Sequence, residues 1–288
     1  MEKNDKFLYE FADVYRLYIQ PLDIFGVCLH QFDLKERFPI FMAACSIQDP
    51  PSIYYTGGQS ESKSYKHFVE IKINFAEDSC AETVKEKLTH AHYAHGMIAI
   101  GTKELIVISG FDHEDNATKR CEKYSFSQNK WQDIASIPTP RGFFGVCVFE
   151  QQFVYAFGGC TDSNQQDMID TVERYKTLSN SWETVKISLN QGWKPRVGAV
   201  ACQLDKDSIL IFGGTEKVKK ESITVLEFLP SSSGIQKVSL MEPVECFQGC
   251  TGCVQRNRNF IYAINNSKCY IYDIEKHLWK TKSIQPSH

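Results

Sequence analysis

Val154-Tyr155-Ala156-Phe157-Gly158-Gly159 decides the fold of this chain: four apolar residues suited to a strand run straight into a pair of glycines. The same shape recurs on both sides of it, at Ile53-Tyr54-Tyr55-Thr56-Gly57-Gly58, Leu105-Ile106-Val107-Ile108-Ser109-Gly110, Ile209-Leu210-Ile211-Phe212-Gly213-Gly214 and Ile261-Tyr262-Ala263-Ile264-Asn265-Asn266. Glycine reaches positive φ without a Cβ clash and asparagine tolerates it next best, so Asn265-Asn266 stands in for a glycine pair. The first members of the five pairs, Gly57, Ser109, Gly158, Gly213 and Asn265, lie 52, 49, 55 and 52 residues apart. A period of about fifty residues built from short strands is the signature of a propeller blade.

A second marker recurs in the same phase. In three repeats a Tyr is followed seven positions later by a Trp, at Tyr124 and Trp131, Tyr175 and Trp182, and Tyr272 and Trp279. Polar turn residues lie between them, so each pair reads as a hairpin carrying two rings to one layer. Apolar run, glycine pair, then Tyr and Trp: in this the chain resembles the kelch family, over roughly Phe41 to Ile284. The resemblance implies an all-β, kelch-type β-propeller with repeats at about 41–90, 91–139, 140–194, 195–245 and 246–285. Repeats 1 and 4 lack the Tyr and Trp and offer Ile71, Ile73 and Phe75, or Leu226 and Phe228, instead; they are expected to be degenerate but four-stranded.

Residues 1–40 admit two readings. Phe32 to Phe38 looks like Tyr272 to Trp279 with one residue fewer, and Tyr15 to Ile19 and Phe25 to Leu29 are strand-like. The first expectation is six four-stranded blades, the amino-terminal one lacking its glycine pair and sealing edges between repeats 5 and 1. The alternative is five blades plus an N-terminal extension, the end of a preceding domain in a longer parent chain.

Composition bounds the rest. With 288 residues and 42% hydrophobic content the chain has ample material for a core. A formal net charge of -3 and a pI near 6.3 argue against nucleic acid as partner. No run of about 18 apolar residues suggests a membrane span, and the charged start, Met1 to Lys6, is unlike a secretory signal. The expectation is a soluble, cytoplasmic protein whose eleven cysteines are reduced. The sequons at Asn116 and Asn265 are then chance matches.

Several motifs that suggest chemistry have a plainer structural reading. Cys246, Cys250 and Cys253 look like part of a zinc knuckle, but no His is nearby; Cys253 precedes its pair by twelve residues where Cys147 and Cys202 precede theirs by eleven, and with a longer turn at Gln255 to Asn259 all three read as small buried hydrophobes on inner strands. Asp112-His113-Glu114-Asp115 and Lys217-Val218-Lys219-Lys220 fall in loops after glycine pairs, where a solvated composition is ordinary. His90, His92 and His95 are spaced two and three apart, a pattern that brings only the first two to one face of a strand. No serine triad, paired-carboxylate site or phosphate loop is defensible, and no cofactor or metal is implied.

Function is therefore expected at the loops on one rim. Arg141 and Arg196 each stand seventeen residues before the first glycine of their pair, and His92 has the same offset from Ser109. Phe247 and Ile40 fall near the matching positions of repeats 5 and 1. This gives a candidate partner-binding set of His92, Tyr93, Arg141, Phe143, Trp193, Lys194, Arg196 and Phe247, flanked by Phe144 and Gln248. Two guanidinium groups at a rim favour an acidic segment of another protein. On this reading Arg141→Glu and Arg196→Glu abolish partner capture and leave melting unchanged. Trp193, outside the Tyr/Trp pattern, is either a blade cap or an anchor. Resemblance to kelch adaptors and scaffolds implies a protein-interaction module, not an enzyme. The alternative is an enzyme, since some kelch propellers carry an axial oxidase, epimerase or lyase site.

Overall fold

The computed structural model describes residues 7–11, 16–21, 30–33, 39–60, 63–77, 79–187, 193–216, 220–221, 225–231, 235–241, 254–256, 259–265 and 268–283. Every regular element among them is a β-strand. The first three, β1 (Phe7–Phe11), β2 (Arg16–Pro21) and β3 (His30–Asp33), form an antiparallel sheet in that order. Blade 1 begins with β4 (Ala43–Gln48) and β5 (Pro51–Thr56), interposes a ribbon of β6 (Gln59–Ser60) and β7 (Lys63–Ser64), and ends with β8 (Phe68–Asn74) and β9 (Ser79–Val84). Blade 2 is β10 (Gly96–Ile100), β11 (Glu104–Ile108), β12 (Cys121–Ser125) and β13 (Lys130–Ile134). Blade 3 is β14 (Gly145–Phe149), β15 (Phe153–Phe157), β16 (Val172–Lys176) and β17 (Ser181–Ile187). Blade 4 has β18 (Val200–Gln203), β19 (Ile209–Phe212), a ribbon of β20 (Thr215–Glu216) and β21 (Lys220–Glu221), then β22 (Val225–Leu229) and β23 (Ile235–Met241). Blade 5 is β24 (Val254–Arg256), β25 (Phe260–Asn265), β26 (Lys268–Asp273) and β27 (Leu278–Ser283).

The fold is thus a five-bladed β-propeller of kelch repeats. The expectation of a sixth four-stranded blade is corrected. The amino-terminal segment has no glycine pair to turn a second strand into a third, and among the described residues it supplies three strands. Five blades plus an N-terminal extension, the alternative, matches. The innermost strands β4, β10, β14, β18 and β24 stand side by side in turn, and β1 lies against β24 and β25. Blades 1 and 4 are four-stranded despite their missing aromatics.

The strand sequences follow from their place in the blade. A second strand is covered on both faces by neighbouring blades, so it reads as a continuous apolar run: Val154 to Phe157 are all fully buried. An outer strand faces water on one side and alternates, as in β13, where Trp131 is buried between exposed Lys130 and Gln132. The core is correspondingly divided into layers between blades. Tyr54 and Phe68 of blade 1 pack on Leu105, Tyr124 and Trp131 of blade 2, and Tyr155 and Phe157 of blade 3 pack on Ile211 and Phe228 of blade 4. The Tyr/Trp hairpins tie these layers. Trp131 Nε1–H donates to Glu86 O at 2.9 Å, and Trp182 Nε1–H to Ala135 O at 2.8 Å, each reaching back to the chain leaving the previous blade. Blades 3 and 4 are joined further by parallel pairing of β17 with β23, which closes two outer edges at once.

Cys147 opposite Tyr155 and Cys202 opposite Leu210 do occupy one blade position. Cys253, with Cys246 and Cys250, lies outside the described residues, and the pairing register of β24 gives that position to Gln255, opposite Tyr262. The copy in blade 1 is Cys45, opposite Tyr54.

Candidate functional site

In each of the first four blades, the segment leading to the innermost strand crosses the loop that follows the glycine pair. Short bridges join them: Ile40 with Gln59, Tyr93 with Phe111, Gly142 with Cys160, and Val197 with Thr215. Both kinds of loop therefore share one rim. The second member of each pair donates its N–H to the next repeat's lead-in, Gly58 to His92 O at 2.8 Å, Gly110 to Arg141 O at 2.8 Å and Gly159 to Arg196 O at 2.9 Å. Only glycine allows this approach: a Cβ at Gly159, where φ is +90°, would lie 2.5 Å from Gly142 O.

Two residues beyond each of those carbonyls a second chain of backbone bonds runs around the mouth. Ala94 N–H donates to Phe41 O at 2.7 Å, Phe143 N–H to Ala94 O at 2.9 Å, and Gly198 N–H to Phe143 O at 2.7 Å. All four residues sit in the left-handed region, with φ of 54° at Phe41, 51° at Ala94, 53° at Phe143 and 71° at Gly198. This is a costly conformation for a bulky side chain, on the order of 1–2 kcal/mol each.

The structure places the side chains expected to form the rim's charged ring inside the blades. His92, Arg141 and Arg196 are all fully buried. Each points to the carbonyl of the first residue of its own pair: His92 Nδ1 to Ser109 O at 2.8 Å, Arg141 Nη1 to Gly158 O at 2.9 Å, and Arg196 Nη1 to Gly213 O at 3.5 Å. Behind them stand acids of equal burial. Arg141 Nη2 pairs with Glu173 at 3.0 Å and His92 Nε2 with Glu122 at 3.3 Å. Burial alone would raise the Glu122 carboxyl, but bonds from His92 and from the Thr89 and His90 N–H groups hold it below the ordinary carboxylate range. Blade 4 has Leu226 where blades 2 and 3 have Glu122 and Glu173, and Arg196 instead has Glu216 at 4.0 Å. Burial pushes the Arg196 guanidinium down to about 10. The two guanidinium groups are turned away from solvent and neutralised by nearby acids, so they present no cationic rim.

Of the other expected site residues, Trp193 is buried against Phe157 and donates its N–H to Asp170 O at 2.6 Å, a blade cap. Phe144 is buried in the layer between blades 2 and 3. Lys194 is exposed, 3.6 Å from Glu216. Phe247 and Gln248 lie outside the described residues. Tyr93 and Phe143 do come together, in a cluster the sequence did not reveal. Phe41 meets Phe143 edge-on at 5.2 Å and Tyr93 at 6.3 Å, and Phe111 lies 5.3 Å from Tyr93 and 5.9 Å from Phe143. Tyr93 and Phe111 form its buried floor, while Phe41 is 47% and Ile40 50% exposed. Half-buried Phe143 and Met168 continue this apolar ledge. Tyr93 donates its hydroxyl to Asp115 at 2.5 Å, and burial and that carboxylate raise its pKa. Phe41 was missed because the hairpin of β4 and β5, six-residue strands around a two-residue turn, is one residue longer than those of blades 2 and 3, which shifts its offset from Gly57 by one.

His95 is buried, bonded through Nε2 to Thr56 Oγ1 at 2.8 Å, and its imidazole is held well below its ordinary pKa by burial and by His92. Burial and nearby Asp162 push the Cys160 thiol up to about 12.

Five antiparallel blades, three of them punctuated by glycine pairs, with buried basic groups in blades 2 to 4 and a left-handed mouth, define a kelch-type propeller. The chain belongs to the kelch-repeat family: the description "KLHDC2/KLHL20/DRC7 Kelch-repeats domain" matches residues 41–263. Among curated proteins it is similar to Kelch-like protein 40 of Xenopus tropicalis, 26% identical over 132 residues, covering 46% of this chain and 20% of that protein. It is also similar to Kelch repeat and BTB domain-containing protein 2 of Ectromelia virus (strain Moscow), 23% identical over 158 residues, covering 48% of this chain and 27% of that protein. Kelch-like protein 41b of Danio rerio is 25% identical over 122 residues, covering 40% of this chain and 20% of that protein. The chain thus spans about a fifth to a quarter of the length of the curated relatives it matches.

Proposed function

We propose that this propeller is the recognition unit of a protein-interaction or adaptor protein, binding a partner segment on the rim around Phe41, Tyr93 and Phe143, with Lys194 at its margin. Kelch-repeat relatives are generally interaction or adaptor modules, which supports the reading. The observation that carries it is Phe41, a half-exposed aromatic kept in left-handed backbone where glycine would be unstrained. His92, Arg141, Arg196 and Trp193 act from inside, by fixing the loops on which the ledge is built. The reading is of a binding unit in the cytoplasm and assigns no catalytic step; a Cys160 thiol raised to about 12 is a poor nucleophile. A photo-crosslinking amino acid at position 41, compared with one at exposed Leu178 on a hairpin tip, tests it in cell extract. Discrete protein adducts from position 41 that position 178 does not give are expected. Equal adduct patterns, or none from position 41, refute it.

A further inference from the structure

The chemistry of the rim's loops specifies what such a segment must carry. The loops between the second and third strands of blades 2 and 3, residues 109–120 and 158–171, carry Asp112, Glu114, Asp115, Asp162, Asp167 and Asp170 against Lys119 and Arg120, six acids to two bases, and both bases stand at the β12 end of the first loop. The loops are tied to the ledge and to each other. Asp115 accepts the Tyr93 hydroxyl beneath Phe41, Asp112 also raises the Tyr93 pKa through its charge, and Asn116 bridges to Asp162. Loop order is built in: Asp112 Oδ1 accepts the Glu114 and Asn116 N–H groups at 2.9 and 3.1 Å, and Asp162 Oδ1 accepts those of Gln166 and Asp167 at 3.0 and 2.6 Å. A fixed loop holds its carboxylates in place. Against this field the only basic candidates foreseen in blades 2 and 3, Arg141 and His92, are buried and paired with Glu173 and Glu122. Lys194 stands on the lead-in to blade 4, 3.6 Å from Glu216.

Resting on the reading of this rim as the recognition face, we infer that its occupant is a basic-apolar segment: an aliphatic or aromatic side chain on the Ile40/Phe41/Phe143 ledge, with Lys or Arg lying over blades 2 and 3. This reverses the sign of the acidic partner that two exposed guanidinium groups would select. Carboxylates on these loops, with Asp115 directly on the Tyr93 hydroxyl, attract such a segment and repel an acidic one over a Debye length of about 8–10 Å.

The test uses three fluorescein-labelled synthetic 12-residue peptide pools sharing a central Leu-Phe pair, flanked by Arg/Lys, by Asp/Glu or by Ser/Gly, with fluorescence anisotropy at low and moderate salt. The basic pool is expected to bind about tenfold or more tighter than the neutral one, and to weaken as salt rises. The double variant Glu114→Gln/Asp115→Asn should weaken the basic pool by roughly three- to tenfold and leave the neutral pool unchanged, at about 0.3–0.7 kcal/mol per exposed charge. Asn suits position 115, where φ is 63°. Equal binding of all pools, all lost in Phe41→Gly, overturns the inference about charge and leaves the recognition face standing. Preference for the acidic pool overturns it in the same way. If no pool binds, the inference fails, and the crosslinks from position 41 decide whether the face fails with it.

Discussion

Arg141→Ala is expected to unfold the propeller more readily, whatever it does to binding. The guanidinium is fully buried and holds four contacts besides the acid: Gly158 O at 2.9 Å, Thr171 O at 3.1 Å, Thr171 Oγ1 at 2.9 Å and Thr139 O at 3.3 Å. Opposite it, Glu173 is equally buried and also accepts the Thr139 N–H at 3.0 Å. Removing the cation strands that carboxylate in a medium of low dielectric, which costs about 3–5 kcal/mol, more than the loss of neutral hydrogen bonds at about 1 kcal/mol each. For a chain of this size that is a fall in Tm of roughly 6–15 °C. Urea unfolding of Arg141→Ala, Glu173→Ala and the double variant measures the coupling. Each single change should be severe, and the double should cost at least about 2 kcal/mol less than their sum, since no lone buried charge remains. A single variant within about 0.5 kcal/mol of the parent, or strict additivity, refutes the assignment. The charge-reversed Arg141→Glu, expected from sequence to spare melting, places two carboxylates together and should be worse still.

Trp131→Ala removes an indole 4% exposed and should cost about 3–5 kcal/mol, whereas Trp182, half-buried, should cost about half that; the reverse order by urea midpoint breaks the packing account. Stability should fall as pH drops from about 7.5 to 5.5. Burial keeps His95 neutral in the fold, so the unfolded chain takes up a proton near pH ~6.5 that the folded one refuses, and stability present above that value is lost. His90, lowered by burial and by Arg120, acts in the same direction, so His95→Asn should flatten the slope in part; an unchanged slope rules His95 out. Gly159→Ala, whose methyl meets Gly142 O at 2.5 Å, should fail to give a soluble folded product or lose several degrees of Tm, and parental melting contradicts the staple between blades 3 and 4.

The blades were legible because stacking them side by side forces the same contacts on each repeat. Gly159 must approach Arg196 O as Gly110 approaches Arg141 O, and Trp182 must reach Ala135 O as Trp131 reaches Glu86 O. Residues 1–40 lack the glycine pair, so the sixth blade was read from strand-like runs and from the likeness of Phe32–Phe38 to Tyr272–Trp279, and the three-stranded sheet was not foreseen. At the rim, offset arithmetic found the right chain positions and the wrong direction. His92, Arg141 and Arg196 share a place in the repeat, and all three turn inward to the carbonyl of the first residue of their own pair. In blades 2 and 3 the buried acid that meets the base had a signal, a Glu two residues before the marker Tyr, at Glu122 before Tyr124 and Glu173 before Tyr175. Blade 4 has Leu226 there, and Arg196 turns inward all the same, with Glu216 at 4.0 Å.

Comparing the copies also separates what the fold needs from what it tolerates. At the inward position blades 2 to 4 exchange one basic group for another, and each has an acid within about 4 Å, Glu122, Glu173 or Glu216, because an unmatched charge there is destabilising. At the left-handed mouth position the fold constrains only φ. Gly198 fills it with nothing within 4 Å of its absent Cβ, and Ala94 fills it with a methyl. Stability alone favours Gly or Asn at such a site, yet Phe41 and Phe143 occupy two of the four copies, and Phe41 recovers little by burial at 47% exposure. Phe41→Gly relieves the αL strain while adding freedom to the unfolded chain by about 1 kcal/mol, and the two nearly cancel. Its Tm should therefore stay within a few degrees of the parent while its partner is lost. A marked fall in Tm would instead make Phe41 a cap over Tyr93 and Phe143, and the ledge would then be core, not recognition surface.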